Sequence, residues 1–212
     1  MSQFKVPPSG WLLCPLLLAG SLSCWDYGLG AKRTISPAAP VVVMTAASDS
    51  GASPSDHYTA LDPVLTWTAV EYANSYTLWL DGKVTDLGNV LTITLTGLAE
   101  GSHHFSLQGV SDGQLGASGD LIFTIDRTAP AVPAPASQGA VGTSSPTWTW
   151  PVIDDATSYL VALDGAPGVA VASASFTPAA SLAPGSHAIT VQAVDLAGNR
   201  SSASPAAEAI TP

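Results

Sequence analysis

The sequence is poor in the residues that most often build chemical sites. It contains two cysteines among 212 residues, Cys14 and Cys24, and both lie near the start of the chain. The remainder of the chain can therefore form neither a disulfide bond nor a thiolate metal site. Basic residues are also few, since 6 Lys and Arg stand against 16 Asp and Glu, for a formal net charge of −10. This balance argues against nucleic acid as a partner, because phosphate backbones bind basic surfaces.

Catalytic motifs are absent as well. The sequence has no Gly-x-Ser-x-Gly, no His-Glu-x-x-His and no Gly-rich phosphate loop. Its adjacent carboxylates, Asp154 and Asp155, are interpreted as part of a solvated loop. Two of the four histidines, His103 and His187, occupy equivalent positions in a repeat, which favours a structural role for both. We therefore predict that the protein is not an enzyme and has no cofactor, apart from the calcium ion considered below.

The dominant feature of the sequence is a stretch that occurs twice. Residues 65–82 match residues 148–165, with Trp, Tyr and Asp-Gly aligned at a constant separation of 83 residues. Residues 98–103 match residues 182–187 at a separation of 84. One inserted residue is the kind of change that loops tolerate between copies of a fold. The chain is thus predicted to contain one domain of roughly 85 residues, repeated in tandem.

Each copy shows the two-residue periodicity of β-strands. Tyr76, Leu78 and Leu80 alternate with Thr77 and other residues of a second row, so one row is expected to face a core. Asp81-Gly82 follows and predicts a tight hairpin turn. Short strands at regular intervals, separated by Gly, Pro, Asn and Asp, predict an all-β fold. We expect two tandem Ig-like β-sandwich domains after an N-terminal signal segment.

The first residues have the features of an export segment. Lys5 precedes an apolar run, residues 11–19, which has the length of a signal-peptide core and is too short to span a bilayer. Ser21-Leu-Ser-Cys24 follows and resembles a bacterial lipobox, although Ser and Leu stand where the usual pattern has Leu and then a small residue. We predict a signal peptide over residues 1–24 and a tether over residues 25–36.

Two outcomes of export remain open at Cys24. The resemblance to a lipobox implies that Cys24 becomes the acylated N-terminus of the mature chain, which would anchor it to a membrane without spanning it. The alternative is ordinary secretion, with cleavage after Ser21 or Ser23 and no role for the cysteine. In either case the predicted location is outside the cytoplasm, secreted or in the cell envelope.

The first predicted domain, residues 37–127, opens with an Ala-Pro strand and the segment Ser48-Asp-Ser-Gly-Ala-Ser-Pro-Ser-Asp56. These residues resemble the start of the Ig-like repeats of large bacterial biofilm-associated adhesins. Acidic loops of that family often bind Ca²⁺, so the resemblance implies calcium ligands at Asp49, Asp56 and Asp62, with backbone carbonyls completing the oxygen shell. The alternative is that Asp, Ser and Gly build a solvated turn.

The junction and the second predicted domain, residues 128–212, resemble the same group. Residues 126–130 have the Asp-x-Thr-Ala-Pro form that joins bacterial Ig-like repeats, and this short segment with its proline predicts a stiff link. Residues 195–201 have the Asp-x-Ala-Gly-Asn-x-Ser form typical of Ig-like and fibronectin-type-III-like bacterial modules. The acidic opening loop of the first domain has no counterpart in the second.

Three tryptophans divide into core and surface candidates. Trp67 and Trp150 are equivalent in the repeat, and we expect both to pack between the sheets. Trp79 lies on the row opposite Tyr76, and its counterpart is Ala162, so the fold does not require it. An aromatic side chain on an exposed β-face is suited to stacking on sugars or to contacting protein, which makes Trp79 a candidate ligand contact. Packing against a neighbouring strand or domain is the alternative.

These observations predict an exported, lipid-anchored surface protein with a structural or adhesive role. Its partners would be a surface protein or a glycan, together with the membrane that holds the lipid anchor. The alternative function is that of a carbohydrate-binding protein, or of an accessory module in a polysaccharide-active system.

The lipid anchor is testable at one residue. Substituting Cys24→Ser should release the protein from the membrane fraction, because acylation requires the cysteine thiol. Fractionation of cells that express the wild type and the variant measures this, and mass spectrometry of the N-terminal peptide measures the lipid directly. Unchanged fractionation, with no lipid mass on the wild-type peptide, would leave ordinary secretion as the explanation.

Overall fold

The computed structural model describes residues 35–51, 53–138 and 143–212. The predicted signal peptide with Cys24 lies outside these residues, as does most of the predicted tether. In the described ranges, no helix is both long enough and apolar enough to cross a membrane. Residues Ser36–Pro212 form one compact unit.

The described residues form an all-β fold, as the alternating sequence pattern predicts. In chain order its strands are β1 (Val42–Met44), β2 (Tyr58–Thr59), β3 (Val64–Trp67), β4 (Ser75–Leu80), β5 (Lys83–Gly88), β6 (Thr92–Thr94), β7 (Gly101–Ser111), β8 (Gln114–Ile125), β9 (Ala136–Ser137), β10 (Trp148–Thr149), β11 (Ser158–Leu163), β12 (Val169–Val171), β13 (Ser175–Phe176), β14 (Gly185–Val194) and β15 (Ala207–Thr211).

The strands from β1 to β8 form the first sandwich. One sheet has the order β1-β3-β6, and the other has the order β2-β8-β7-β4-β5. All pairs are antiparallel except β2 with β8, which run parallel. Side chains of both sheets share one buried core, which includes Leu65 from the small sheet and Phe105, Leu107 and Phe123 from the large sheet.

The strands from β9 to β15 form the second sandwich with the same division. Its sheets have the orders β9-β10-β13 and β12-β11-β14-β15. Trp148 of the small sheet, at 0% exposure, shares one buried core with Val161, Ile189 and Val191 of the large sheet. The two-sandwich prediction is confirmed at the level of fold, whereas the predicted domain limits at residues 127 and 128 stay predictions.

The hairpin turn predicted at Asp81-Gly82 is confirmed. Both residues have positive φ, 49° and 83°, and Leu80 pairs directly with Lys83 across the turn. Two consecutive residues with positive φ define a type I′ turn, whose twist matches that of the flanking strands. Asp164-Gly165 repeats the turn with φ values of 49° and 73°.

One arrangement of aromatic residues occurs in both cores. The indole of Trp67 meets the ring of Tyr76 edge to face at 5.6 Å between centroids, and Trp150 meets Tyr159 at 5.3 Å. Each tyrosine hydroxyl then accepts a hydrogen bond from a loop N–H, that of Val70 at 2.9 Å in the first sandwich. In the second sandwich the donor is Ile153, at 3.0 Å. Each tyrosine therefore packs in the core and also fixes the loop that precedes its own strand.

The two equivalent tryptophans provide a stability test. Trp67→Ala and Trp150→Ala should each lower the free energy of unfolding by about 3–5 kcal/mol, because each removes a large buried side chain and leaves a cavity. Denaturant titration of each variant measures the loss. The exposed neighbour Val152→Ala is the control and should lie within about 0.5 kcal/mol of the wild type. A loss below about 1 kcal/mol at either tryptophan would contradict its place in the core.

Candidate functional site

The acidic loop, residues 48–58, is built on a short turn after β1. The backbone N–H groups of Ser48 and Asp49 both donate to the carbonyl of Thr45, at 2.9 and 3.0 Å. The hydroxyl of Thr59 donates to the carbonyl of Ser48 at 2.6 Å and ties the two ends of the loop together. Asp49 is held inside this loop at 5% exposure.

The structure brings two of the predicted calcium ligands together. The Oδ2 atom of Asp49 accepts a hydrogen bond from the N–H of His57 at 3.3 Å, and the Oδ1 atom of Asp56 accepts one from Tyr58 at 3.0 Å. The other oxygen of each carboxyl, Oδ1 of Asp49 and Oδ2 of Asp56, is buried and receives no hydrogen bond from the described residues. Two buried acceptor oxygens without donors are the arrangement that a cation or a shared proton satisfies.

The pKa of Asp49 reflects this environment. Burial raises the pKa of this carboxyl above its ordinary value, the N–H of His57 opposes that effect, and the negative charge of Asp56 adds to it. A group with this balance resists ionisation unless positive charge is supplied.

The third predicted calcium ligand has a different partner. The Oδ1 atom of Asp62 accepts a hydrogen bond from the guanidinium of Arg127 at 2.9 Å. This ion pair already supplies a positive charge to Asp62. The calcium prediction for Asp62 therefore has less support from the geometry than the prediction for Asp49 and Asp56.

The acidic loop also contacts the second sandwich. The hydroxyl of Ser50 donates to the carbonyl of Ala197. Gly51, with φ of +101°, lies so close to the following turn that a Cβ atom on it would come within 2.2 Å of the carbonyl oxygen of Leu196. A Cβ on Gly198 would come within 2.8 Å of Gly51. The contact is therefore one of backbone against backbone, and both glycines are needed for it.

A second group of carboxylates lies near this contact. Oxygen atoms of Asp126, Asp155 and Asp195 lie within 4.8 Å of one another, the one such group of three among the described residues. Asp195 is 1% exposed, and Asn199 donates to both of its oxygens at 2.8 Å. The amide of Asn199 also donates to the carbonyl of Asp126 at 2.9 Å, which joins the two sandwiches.

Sequence reasoning missed this group, because its members are far apart in the chain. Burial, and then the charges of Asp126 and Asp195, raise the pKa of Asp155 above its ordinary value. Asp155 itself is exposed, which agrees with the prediction that Asp154 and Asp155 lie in a solvated loop. The one available signal was the Asp-x-Ala-Gly-Asn motif, whose Asp195 and Asn199 form the buried part of the group.

Trp79 lies on the outer face of the five-stranded sheet, as its position in the alternating pattern predicts. It is directly opposite Val84 on β5 and Ser106 on β7. Ser106 is in turn opposite Asp120 on β8. Trp79 is therefore the aromatic member of a row of side chains that crosses four strands.

The two equivalent histidines make the same contacts in each sandwich. The Nδ1 atom of His103 lies 2.6 Å from Oδ2 of Asp81, and its Nε2 atom lies 2.9 Å from the carbonyl of Ala99. His187 repeats both distances with Asp164 and Ala183. Because both partners of each ring are acceptors, both ring nitrogens must donate, and the imidazolium is the form that fits. We call each such pair an Asp–His clamp.

The pKa values of the clamps shift in the directions that this geometry requires. Burial lowers the pKa of His103, but the hydrogen bonds with Asp81 and Ala99 and the charge of Asp81 outweigh it, and the pKa is raised despite the nearby Arg127. The hydrogen bond with Asp164 is the main reason that the pKa of His187 is raised. Burial opposes ionisation of Asp81, yet its hydrogen bonds with the side chain of His103 and the N–H of His104 lower its pKa.

With its folding pattern established, the chain can be placed by class. Both halves are β-sandwiches of the Ig-like and fibronectin-type-III-like kind. No family model matches the sequence, and no curated protein matches it. The resemblance to biofilm-associated adhesins therefore stays a prediction.

Solved structures of such modules are similar to this one. The fibronectin(III)-like modules of Clostridium thermocellum CbhA align with 81% of this chain and 94% of their own, with a TM-score of 0.51 and 14% identity. The FN1–FN3 domains of chicken CNTN1 align with 83% of this chain and 67% of their own, with a TM-score of 0.51 and 15% identity. Domains A168–A170 of titin align with 83% of this chain and 68% of their own, with a TM-score of 0.51 and 12% identity. At these identities the likeness establishes the fold.

The Asp–His clamps predict how stability depends on pH. Because the pKa of His103 is raised in the folded state, its contribution is complete below the unfolded value of about 6.5 and is lost as pH rises through the folded value. Because the pKa of Asp81 is lowered, its contribution is present above the ordinary aspartate value and is lost as pH falls through the folded value. Unfolding should therefore become easier above about pH 6.5.

His103→Gln should remove much of the loss of stability that the wild type shows as pH rises above neutrality. At pH 6 the free energy of unfolding of the variant should be about 1–3 kcal/mol lower than that of the wild type. The reason is that Gln is uncharged and cannot donate to Asp81 and Ala99 together as the imidazolium does. At pH 9 the wild type and the variant should be closer in stability. Denaturant titrations between pH 5 and 9 measure both, with His104→Gln as the control on the opposite face of the strand. Parallel pH profiles for the wild type and His103→Gln would show that His103 is not charged in the folded protein.

Proposed function

We propose that this protein is an exported, lipid-anchored cell-surface protein whose two modules have a structural or adhesive role. The fold supports a module that binds or positions a partner and does not carry out a reaction. The apolar run and Cys24 support export and anchoring, and the acidic surplus is suited to a location outside the cytoplasm. The proposed partner is a surface protein or a glycan.

One observation carries the structural part of this proposal, namely the direct contact between the two sandwiches. Modules joined only by a linker move freely relative to one another unless their interface is substantial. Here Ser50 and Gly51 contact Ala197 and Gly198, and Asn199 bonds to the carbonyl of Asp126. The contact gives the pair a preferred orientation, which a spacer or an adhesive arm requires.

We further propose that Asp49 and Asp56 bind a divalent cation, with Ca²⁺ the best fit. Carboxylate oxygens are hard ligands that suit Ca²⁺, whereas zinc sites favour the histidine and cysteine ligands that this chain scarcely has. The cation would satisfy the two buried oxygens that receive no hydrogen bond in the described part of the chain. It would also offset the burial that is the main reason for the raised pKa of Asp49, and the repulsion from Asp56 that adds to it.

This cation would influence the contact between the sandwiches. Asp49 is followed directly by Ser50 and Gly51, the two residues that touch the second sandwich. If both carboxylates are ionised with no cation present, their repulsion strains the acidic loop and weakens that contact. A bound cation holds the loop in the conformation that docks.

Thermal melting of the full chain at pH 7.5, in millimolar Ca²⁺ and in chelator, tests the cation site. Binding to the native state alone should raise the free energy of unfolding by about 2.7 kcal/mol at one hundred times Kd. The double variant Asp49→Asn with Asp56→Asn should not respond to Ca²⁺. Asp62→Asn is the matched control and should respond like the wild type, since Asp62 is paired with Arg127.

The competing explanation is that the two carboxyls share a proton. In that case Ca²⁺ has no effect, and stability falls as pH rises from the ordinary aspartate value of about 3.9 through the raised pKa of Asp49. A melting temperature that changes with pH but not with Ca²⁺ would therefore reject the cation site.

The contact between the sandwiches has a separate test. Gly198→Ala should loosen the two sandwiches from each other whether or not the cation binds, and NMR rotational diffusion measures this.

A second function, carbohydrate binding, is favoured by one specific observation. Trp79 projects from the outer face of a broad sheet, and the equivalent position in the second sandwich is Ala162. The core therefore does not account for the indole, whereas a ligand that stacks on it would.

A further inference from the structure

We propose that the outer face of β5, β4, β7 and β8 binds a neutral polysaccharide, with the sugar ring stacked on Trp79. This inference rests on the carbohydrate-binding alternative and names its site and ligand class. We define the Trp79 face by the side chains that the strand registers place on it, which are Thr77, Trp79, Val84, Asp86, His104, Ser106, Gln108, Ser118 and Asp120.

The registers place all of these side chains except His104 in two adjacent rows. The first row runs Val84, Trp79, Ser106, Asp120 across the four strands. The second row runs beside it and is polar throughout, with Asp86, Thr77, Gln108 and Ser118 in the same strand order. The indole of Trp79 thus has one apolar neighbour, Val84, and is otherwise bordered by hydrogen-bonding groups of both rows.

Trp79 itself is available to a ligand. It is only partly buried, and the ring contacts of the described residues involve other tryptophans, Trp67, Trp148 and Trp150. An aromatic ring presents a flat surface of polarisable atoms, against which the C–H face of a pyranose packs well. The indole N–H has no hydrogen-bond acceptor among the described residues, and it can donate to a sugar oxygen.

The polar groups beside Trp79 are held in place by one another. The Oδ2 atom of Asp120 accepts a hydrogen bond from Ser118 at 3.0 Å, and its Oδ1 atom lies 3.3 Å from Nε2 of His104. A hydrogen bond from Ser106 is the main reason that the pKa of Asp120 is lowered, with Ser118 and His104 contributing. Asp120 therefore remains an ionised acceptor for sugar hydroxyls at neutral pH, and its orientation is set before the ligand arrives.

Charge selects the class of polysaccharide. Asp86 and Asp120 both place carboxylates on the Trp79 face, and the chain as a whole carries a formal charge of −10. These charges repel polyanions such as alginate or nucleic acid, but they accept hydrogen bonds from neutral hydroxyl groups. The ligand class that fits is an uncharged polysaccharide.

The second sandwich is an internal comparison for this face. There Ala162 pairs with Thr190, and Leu160 pairs with Gln192, on the corresponding strands β11 and β14. The polar residues Thr190 and Gln192 are present without an aromatic ring. If the polar background alone bound glycans, both modules would bind; if the indole is required, only the first would.

Affinity electrophoresis of the full chain through gels containing hydroxyethylcellulose, glucomannan or glycol chitin tests the proposal. At least one of these neutral polymers should retard the wild type, and Trp79→Ala should weaken the retardation at least about tenfold. Val43→Ala is the matched control and should retain the binding, since it removes an exposed apolar side chain from β1, in the other sheet of the same sandwich. Trp79→Ala should melt like the wild type, because Trp79 lies outside both buried cores.

Three results would overturn the inference. They are no retardation by any neutral polymer, equal retardation of the wild type and Trp79→Ala, and retardation by alginate at least as strong as by the neutral glycans. Asp120→Ala is a second variant, and it should weaken binding while its thermal melt matches that of the wild type. The experiment is independent of the calcium test. Retardation with no Ca²⁺ response would reject the cation site alone, and a Ca²⁺ response with no retardation would reject this inference alone.

Discussion

The edge-to-face contact between a tryptophan and a tyrosine is the interaction on which each sandwich depends. Trp67 with Tyr76, and Trp150 with Tyr159, join the small sheet to the large sheet through the centre of each core. Because each tyrosine hydroxyl also accepts a hydrogen bond from a loop N–H, the core fixes the path of the chain between the sheets. Tyrosine can do both at one position, because its ring packs in the core while its hydroxyl accepts a hydrogen bond from the loop.

A second repeated interaction, the Asp–His clamp, holds a hairpin turn against the neighbouring strand at one end of each sandwich. The aspartate belongs to a type I′ turn, and the histidine is the third residue of the long strand that pairs with the turn's own hairpin. One carboxylate therefore ties together two hairpins that are more than twenty residues apart. The cost is a dependence on pH, since the contact is complete only while the histidine is charged. A protein located outside the cytoplasm would experience that dependence directly.

The differences between the two modules are concentrated where function is proposed. The first module has the acidic loop, in which Asp49 and Asp56 each have one buried oxygen without a hydrogen bond from the described residues. It also has Trp79 on the outer face of its large sheet. The second module has Ala162 at the position of Trp79, and its turn at residues 196–198 receives the acidic loop. The repeated core thus serves both copies, while one copy carries the candidate sites and the other supplies the surface against which the loop docks.

The sequence alone determined the repeat, the β periodicity, the inward row of Tyr76 and Leu78, and the outward position of Trp79. These follow from local rules, since side chains on a strand alternate between faces and equivalent positions recur at a fixed separation. Only the tertiary structure decided which acidic residues meet. Asp49 and Asp56 are close in the chain, and the resemblance already suggested their pairing. The engagement of Asp62 by Arg127 instead depends on the end of β8, which Arg127 follows, lying beside β2. The meeting of Asp126, Asp155 and Asp195 likewise depends on how two modules pack, because each carboxylate comes from a different loop and no local pattern specifies a distance between them.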